Sequence, residues 1–258
     1  MLLSAVIITY NEERHLRKCL ESLRGVADEV FVLDSYSTDQ TERICREEKI
    51  RFEQHEFDGY ISQKNRAMKR AGHDWILSLD GDEALSASLR NRILQWKKQD
   101  NLPAGRNIRG YIFRRRNNFC GRWMRFTSWY PDRKLRLFDR RYATWSGYDP
   151  HDHVVIVKGG KTERWKSDIL HWAIDSVDEF RQKMDDFARI TARAYQQAGK
   201  KACLLEPVWH GAWRWFKEYI WYLGFLERQA GWQIARYTAI NAFRKYAYLR
   251  KLNHGYEI

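Results

Sequence analysis

The sequence lacks any long apolar run. No stretch of about eighteen uninterrupted apolar residues occurs, so a membrane-spanning helix is not expected. Met1 leads directly into an apolar, strand-like segment, without the charged region, apolar stretch and cleavage site of a secretory signal. We therefore expect neither a targeting segment nor a membrane-spanning one.

Cysteine is also scarce. The 258 residues include 4 cysteines, at positions 19, 45, 120 and 203, with no paired spacing typical of a disulfide framework or a zinc site. This usage predicts a reducing compartment, the cytoplasm. Internal repeats and low-complexity linkers are absent too, and the length suits one enlarged domain or one domain with appendages.

Acidic residues are outnumbered by basic ones. The chain has 46 lysines and arginines against 33 aspartates and glutamates, a formal net charge of +13. The partner should therefore be anionic: nucleic acid, a phosphorylated substrate or an acidic membrane surface. Nucleic-acid binding would use arginines and aromatic rings, but the chain has no recognisable DNA or RNA module. That function would also leave the carboxylate motifs below unexplained, so we expect no nucleic-acid partner.

The first 54 residues alternate between strand-like and helix-like segments. Residues 2–9 are apolar and rich in β-branched side chains, and 29–33 and 50–54 are predicted as two further short strands. Residues 13–23 show helical spacing, and Ser37 or Thr38 can cap a second helix at 41–49. Strand, helix, strand, helix, strand is the order of a parallel sheet with right-handed crossovers. The pattern predicts an α/β fold.

A fourth predicted strand, residues 75–79, ends abruptly at Asp80-Gly81-Asp82, a DXD motif. The carboxyl ends of strands are where open α/β sheets bind ligands. Isolated carboxylates there are costly, which favours a metal cation or a hydroxyl-bearing ligand as partner. Alone, the motif also fits a simple acidic turn. Polar clusters at 9–12 and 34–35 end neighbouring strands, so together they predict a nucleotide-type pocket.

Four segments in this order resemble glycosyltransferase family 2: VIITYNEE (6–13), LDSYSTDQT (33–41), QKN (63–65) and DGDE (80–83). The resemblance extends over most of the chain and is greatest to the lipopolysaccharide core β-1,4-glucosyltransferases. It implies the GT-A fold, a Rossmann-like, mostly parallel nucleotide-binding sheet with helices on both faces. It also implies an inverting enzyme that uses nucleotide-diphosphate sugars.

The resemblance assigns roles in the donor site. It implies that Asp34 accepts the uracil N–H and that Asp80 contacts the ribose. Asp82, completed by His171, would hold a divalent cation, Mg²⁺ or Mn²⁺, at the diphosphate. The other implied donor-binding residues are Thr9, Tyr10, Asn11, Glu12, Ser35, Lys64 and Gly81.

Structural alternatives stay open for several of these residues. The alternative for Asp34 is a helix N-cap or turn aspartate, and the alternative for Asn11 is a helix cap. Lys64 would be an ordinary solvated helical lysine, and His171 a hydrogen-bonded histidine at a strand end.

The catalytic base is predicted in the segment before the apolar run 154–157. The family places a carboxylate there, often after a histidine, and Asp152 is the matching position. An aspartate in a partly dry pocket can take the acceptor hydroxyl proton as the hydroxyl attacks the sugar. Asp149 is the rival. His151 and His153 flank Asp152 and would project to one face of a strand as orienting or acceptor-binding groups, with a metal-binding pair as the alternative.

A basic, aromatic segment over residues 109–138 resembles the family's acceptor side. Aromatic planes stack on sugars, and arginines pair bidentately with phosphate or carboxylate. We expect Trp129, Arg133 and Arg136 to bind the acceptor. The alternative is that part of this surface is only solvated.

Residues 204–252 combine helical spacing with many aromatic and basic residues. Glu206-Pro207 predicts the start of one helix, and residues 231–252 predict a second. Such compositions favour the headgroup region of a bilayer, but the aromatic residues would equally form the core of a helical hairpin. Both alternatives stay open.

We therefore expect a catalytic domain at 1–200, with a donor half at 1–100 and an acceptor half at 101–200, and a helical extension at 201–258. The predicted function is metal-dependent transfer of a sugar, glucose by resemblance, from a UDP-sugar to an anionic acceptor of the lipopolysaccharide core or a similar glycolipid. A protein or another polysaccharide is the alternative acceptor. The predicted location is the cytoplasm, peripheral at the inner face of the membrane.

Overall fold

The computed structural model describes residues 1–99, 107–148 and 151–258. The chain forms two compact units. Unit 1 comprises Met1–Arg115 and Asp132–Trp172, and unit 2 comprises Arg116–Pro131 and Ala173–Ile258. The division differs from the predicted boundary near residue 200, because the helix at 177–197 groups with the C-terminal residues.

The strands are β1 (Leu3–Thr9), β2 (Glu29–Asp34), β3 (Arg51–Gln54), β4 (Trp75–Asp80), β5 (Glu83–Leu85), β6 (Ile108–Phe119), β7 (Arg122–Trp123), β8 (Asp132–Asp139), β9 (Ala143–Tyr148), β10 (His151–Ile156) and β11 (Lys161–Ile174). The helices are α1 (Leu16–Leu23), α2 (Thr41–Glu47), α3 (Tyr60–Arg70), α4 (Ala87–Lys97), α5 (Val177–Gln197), α6 (Glu206–Phe216) and α7 (Arg228–Asn253). A π-helical turn at Lys217–Trp221 and a 3₁₀ turn at Gly224–Glu227 lie between α6 and α7.

The main sheet has the order β3-β2-β1-β4-β8-β6-β11-β5, with β7 beside β6. β1 pairs in parallel with β2 and β4, and β2 with β3. From β4 onward the pairings β4–β8, β6–β8 and β5–β11 are antiparallel. The predicted α/β architecture with a parallel nucleotide-type half is confirmed.

Strand register brings the predicted polar ends together. Thr9 lies opposite Asp34 across β1 and β2, and Ile8 lies opposite Asp80 across β1 and β4. The three strand ends therefore meet at one edge of the sheet, as the sequence predicted.

The parallel strands are buried on both faces. Leu3, Ala5 and Ile7 of β1 belong to one apolar cluster, whereas Val6 belongs to another on the opposite face. The first cluster includes side chains from α1, α2 and α4, and the second includes side chains from α3, β9 and β10. Burying one such aliphatic side chain contributes roughly 1.5–3 kcal/mol, so the two clusters stabilise the strands that carry the site.

Asn11 does not cap helix α1. The helix begins at Leu16, and no side chain caps it at His15. Asn11 instead adopts a positive φ of 55°, and its Oδ1 accepts a hydrogen bond from the backbone N–H of Thr38 at 2.8 Å. The loop after β1 is thus tied to the loop after β2.

Unit 2 is built around α5, α6 and α7. Its apolar cluster contains Phe119, Met124, Ile174, Phe180 and Ile234. The two helices predicted beyond residue 204 are present, beginning at Glu206 and Arg228. No helix within the described residues is long and apolar enough to cross a membrane.

Two buried glutamates hold the segment 125–128 of unit 2. Glu227 accepts hydrogen bonds from the backbone N–H groups of Arg125 at 2.6 Å and Phe126 at 3.0 Å. Glu218 accepts from the backbone N–H and the hydroxyl of Ser128. Burial would raise the pKa of Glu227, but these amide donors and Arg122 hold that pKa below its ordinary value.

Candidate active site

A cavity of about 730 Å³ opens at the edge where β1, β2 and β4 end, and we call it the edge cavity. Its polar walls come from the loops that follow these strands, and four aromatic side chains complete it. Its lining residues are Ile8, Thr9, Tyr10, Glu12, Ser35, Tyr36, Glu56, Phe57, Tyr60, Asp80, Gly81, Asp82 and His171.

Asp34 lies beneath this cavity rather than in its wall. Its side chain is fully buried, and its carboxylate accepts hydrogen bonds from the Thr9 hydroxyl at 2.9 Å and the Ser37 backbone N–H at 2.8 Å. The Ser37 hydroxyl and the Gln54 amide also donate to it. The structure therefore gives Asp34 a role in fixing the loop, while Ser35 reaches the cavity. Its contact with the uracil stays a prediction.

Gly81 is required by close packing between the DXD turn and the end of β1. A Cβ atom at this position would lie 2.9 Å from Thr9 Cγ2 and 3.0 Å from Glu12 Cγ. The backbone N–H of Gly81 donates to the carbonyl of Ile8 at 3.1 Å. The missing side chain lets the two predicted donor loops touch.

Asp82 and His171 face each other at the cavity wall. Their Oδ2 and Nε2 atoms lie 3.2 Å apart, and both side chains are partly exposed. The antiparallel pairing of β5 with β11 sets His171 opposite Glu83, one residue after Asp82. Strand pairing thus joins two residues 89 positions apart in the sequence.

Asp80 is held by two cations. Its Oδ1 lies 3.1 Å from Lys64 Nζ, and its Oδ2 accepts from Arg136 Nη2 at 2.8 Å. Burial would raise the pKa of Asp80, but the charges of Lys64 and Arg136 outweigh burial and hold that pKa well below its ordinary value. Asp80 is therefore a permanent anion at neutral pH.

Lys64 connects Asp80 to the predicted base. It is almost fully buried on α3, and its Nζ lies 2.7 Å from Asp152 Oδ2 and 4.5 Å from the centre of the Trp145 ring. Asp152 is brought here because the hairpin β9–β10 packs on the same face of the sheet as α3. Lys64 is not a solvated lysine, and it lies outside the wall of the edge cavity.

A second cavity, of about 550 Å³, lies on the other side of Asp80, and we call it the basic cavity. Asp80 lines both cavities. Its lining residues are Lys64, Asp80, Ile112, Arg115, Arg133, Lys134, Leu135, Arg136, Trp145, His151, Asp152, His153, Val154, Ile156, Thr162 and Arg164.

Four of the five predicted acceptor-binding residues line the basic cavity: His151, His153, Arg133 and Arg136. His151 and His153 are exposed and flank Asp152 on β10 at alternating positions. The fifth, Trp129, belongs to unit 2, where its ring packs edge-on against Phe119 and Phe180. Asp149, the rival base, lies outside the described residues.

Sequence reasoning missed the buried charges behind the site. Glu83 is fully buried and pairs with Arg136 at 3.0 Å and Arg115 at 3.2 Å. It also accepts a hydrogen bond from the backbone N–H of Asp80 at 3.1 Å, so it buttresses the DXD turn. Arg115 lies on β6 and Arg136 on β8, two antiparallel strands. The sequence places both in a basic segment but does not indicate which of its arginines are buried.

Comparison with known proteins identifies the family. Residues 4–151 match the family model described as Glycosyl transferase family 2, which covers more than half of the chain. The protein belongs to glycosyltransferase family 2, and the predicted GT-A type of α/β fold accords with the sheet described above.

Three similar proteins share 15–28% sequence identity with this chain. The lipopolysaccharide core biosynthesis glycosyltransferase LpsC of Rhizobium meliloti (strain 1021) is 27% identical, covering 95% of this chain and 93% of that protein. An uncharacterized glycosyltransferase of Rickettsia bellii (strain RML369-C) is 28% identical, covering 97% of this chain and 87% of that protein. A crystal structure of S. aureus TarS 1-349 is 15% identical and covers 99% of this chain and 92% of that one, with a TM-score of 0.43.

The buried ion pairs predict a large effect of removing Arg136. In Arg136→Gln, the buried Glu83 loses one of its two arginine partners and Asp80 loses one of its two cations. We expect the free energy of unfolding at pH 7 to fall by about 3–5 kcal/mol, measured by urea denaturation. Arg133→Gln, on the same strand but exposed, is the matched control and should change it by less than about 0.5 kcal/mol.

The loss in Arg136→Gln should depend on pH. Because the folded pKa of Asp80 lies below its ordinary value of 3.8, the stabilisation that it gains from Arg136 is present above pH 3.8. That stabilisation is lost as the pH falls further, towards the folded pKa. A difference between variant and native protein that widens below this pH would contradict the assignment.

Proposed function

We propose that the protein is an inverting, metal-dependent glycosyltransferase that transfers a sugar from a UDP-sugar to a sugar hydroxyl of a lipopolysaccharide inner-core or similar glycolipid. The observation that carries this proposal is the Lys64 bridge between Asp80 and Asp152. It sets the implied donor carboxylate and the implied base on two sides of one ammonium group. Sugar as the transferred group follows from the family, and glucose from the sequence resemblance.

The edge cavity suits a nucleoside diphosphate. Tyr10, Tyr36, Phe57 and Tyr60 line it with rings that are 43–60% exposed, which offers a stacking surface for a base. The motif resemblance favours uracil. Among the predicted donor residues, Thr9, Tyr10, Glu12, Ser35, Asp80 and Gly81 line this cavity.

Asp82 and His171 fit a divalent cation. A carboxylate oxygen and an imidazole nitrogen 3.2 Å apart, both partly exposed at the cavity wall, are donors that Mn²⁺ accepts and that Mg²⁺ accepts through the oxygen. No group of three such side chains occurs within 1–99, 107–148 and 151–258, so the diphosphate and water would supply the other ligands. When bound, the cation would offset the negative charge that develops on the departing diphosphate.

The chain's own residues then perform a single displacement. Asp152 accepts the proton of the acceptor hydroxyl as that oxygen forms a bond to the anomeric carbon. The bond from this carbon to the diphosphate oxygen breaks on the opposite face, and UDP leaves with the electron pair. One displacement inverts the configuration, so an α-linked donor gives a β-linked product.

Removing the Asp82 carboxylate tests the donor site. We expect Asp82→Asn to lose most transfer activity, and UDP to bind the native protein weakly without Mg²⁺ or Mn²⁺, because the cation links protein and diphosphate. Calorimetric titration with UDP, with and without metal, measures this. Asp178→Asn, which removes an exposed aspartate of unit 2, is the control for charge. Near-native turnover in Asp82→Asn would rule out the metal bridge.

Removing the Asp152 carboxylate tests the base. Asp152→Asn should still bind UDP, while kcat falls by about two to four orders of magnitude, the usual effect of losing a positioned general base. NMR of the product from the native enzyme should show the β-anomer. An α-linked product or a trapped glycosyl-enzyme would contradict the single displacement.

A membrane surface is the proposed site of action. Helix α6 and the turn after it expose Trp209, Trp213, Phe216 and Ile220 at helical spacing, by 67, 50, 40 and 42%. The opposite side of α6 packs on α7, where Gly211 allows close approach: a Cβ there would lie 3.2 Å from Phe243 Cβ. One face of the helical segment is thus packed and the other is free for the headgroup region of a bilayer.

The charge of this segment favours an anionic leaflet. Residues 204–258 contain 8 lysines and arginines against 4 glutamates. Each basic residue close to such a leaflet contributes about 1 kcal/mol, and this attraction weakens with salt. We propose reversible binding at the inner face of the cytoplasmic membrane, where a lipid-linked acceptor would be available.

Liposome co-sedimentation tests this surface. The native protein should sediment with anionic vesicles, less so as salt is added, and Trp209→Ser with Trp213→Ser should reduce binding by about tenfold or more. Phe187→Ser with Ile190→Ser, at exposed apolar positions of α5, is the matched control and should bind as the native protein does. If the native protein does not sediment with anionic vesicles, the membrane proposal is wrong.

A further inference from the structure

The wall of the basic cavity carries an excess of positive charge. Six lysine and arginine side chains line it against the carboxylates of Asp80 and Asp152. Glu83 and Asp132 lie behind the wall and pair with some of these cations. Even with all four carboxylates included, two positive charges are uncompensated. The six cations are Lys64, Arg115, Arg133, Lys134, Arg136 and Arg164.

The uncompensated charges can be assigned to residues. Lys64 pairs with Asp80 and Asp152, and the other paired cations are Arg115, Lys134 and Arg136. Arg133 and Arg164 form no ion pair with any described residue. They lie on different strands, β8 and β11, so the fold brings two unpaired guanidinium groups to one cavity.

A third arginine in this wall has unused donors. The side chain of Arg136 is only 3% exposed, and its Nη2 atom pairs with both Asp80 and Glu83. Its Nε and Nη1 atoms are buried, with no hydrogen-bond partner among the described residues. Buried N–H groups normally have partners, and leaving a donor unsatisfied costs about 1–3 kcal/mol. A ligand acceptor atom in the cavity would supply one.

We infer that the acceptor carries an acidic group, a phosphate or a carboxylate, which Arg133 and Arg164 bind next to the hydroxyl that Asp152 deprotonates. This inference rests on the proposed function and deepens it by naming the group that selects the acceptor. Guanidinium groups bind both anions through paired N–H donors, so the same two arginines serve either. A neutral acceptor would leave both charges unmatched.

The donor diphosphate is not expected to bind Arg133 and Arg164. Its implied ligands, Asp82 and His171, line the edge cavity and not the basic cavity. Asp152, by contrast, lines the basic cavity, as the two arginines do. The anion bound there therefore belongs to the molecule whose hydroxyl reaches Asp152.

Binding of small acidic sugars to the full chain tests the inference. Glucose 6-phosphate, glucuronate and glucose are titrated calorimetrically into protein saturated with UDP and Mg²⁺, which occupies the edge cavity. We expect at least one acidic sugar to bind about tenfold or more tightly than glucose. The double variant Arg133→Gln/Arg164→Gln should lose that preference, and Arg133→Lys/Arg164→Lys should retain part of it.

A matched pair on α2, Arg43→Gln/Arg46→Gln, removes the same charge away from the cavity and should keep the preference. Stronger binding of glucose 6-phosphate identifies a phosphate-selective site, and stronger binding of glucuronate a carboxylate-selective one. Equal affinity for all three sugars, or a preference that survives in Arg133→Gln/Arg164→Gln, overturns the inference. Failure of UDP to bind the native protein would instead count against the proposed function.

Discussion

One ammonium group, that of Lys64, connects the two carboxylates on which the proposed chemistry depends. It lies 3.1 Å from Asp80 and 2.7 Å from Asp152, residues that reach this point from a parallel strand and from a separate hairpin. A buried lysine is tolerated only when its charge is matched, and here both partners are supplied. This electrostatic contact, together with the packing of the β9–β10 hairpin on the face of the sheet that carries α3, sets the position of the implied base relative to the donor edge.

The buried charges behind this contact hold the DXD turn in place. Glu83 is fully buried and would be costly alone, but Arg115 and Arg136 neutralise it. Burial would lower the pKa of Arg136, yet Glu83 and Asp80 raise that pKa above its ordinary value. The turn that presents Asp82 to the edge cavity therefore lies on a buried, charge-paired support.

In unit 2, buried glutamates and helix packing form a core, and several aromatic side chains of α6 are exposed. Its buried glutamates, Glu218 and Glu227, bind backbone N–H groups of one loop segment, and α7 packs against α5 and α6. Trp209, Trp213 and Phe216 of α6 are exposed outside this core, whereas Trp215 packs against Trp232 of α7. The proposed membrane binding depends on these exposed rings.

The sequence alone determined the family, the parallel half of the sheet and the edge where Thr9, Asp34 and Asp80 meet, because hydrophobic periodicity and motif order are local properties. It also placed Asp152 between two flanking histidines on a strand. Only the tertiary structure decided that His171 lies beside Asp82, that Lys64 joins two carboxylates and that Arg164 shares a cavity with Arg133. The first contact depends on the antiparallel pairing of β5 with β11, the second on the packing of α3 and the β9–β10 hairpin on one face of the sheet, and the third on the strand order β8-β6-β11. Each joins separate parts of the sequence, which no local pattern encodes. Asp34, which has the sequence pattern of a ligand-binding residue, is buried beneath the cavity because Thr9 and Ser37 donate hydrogen bonds to its carboxylate.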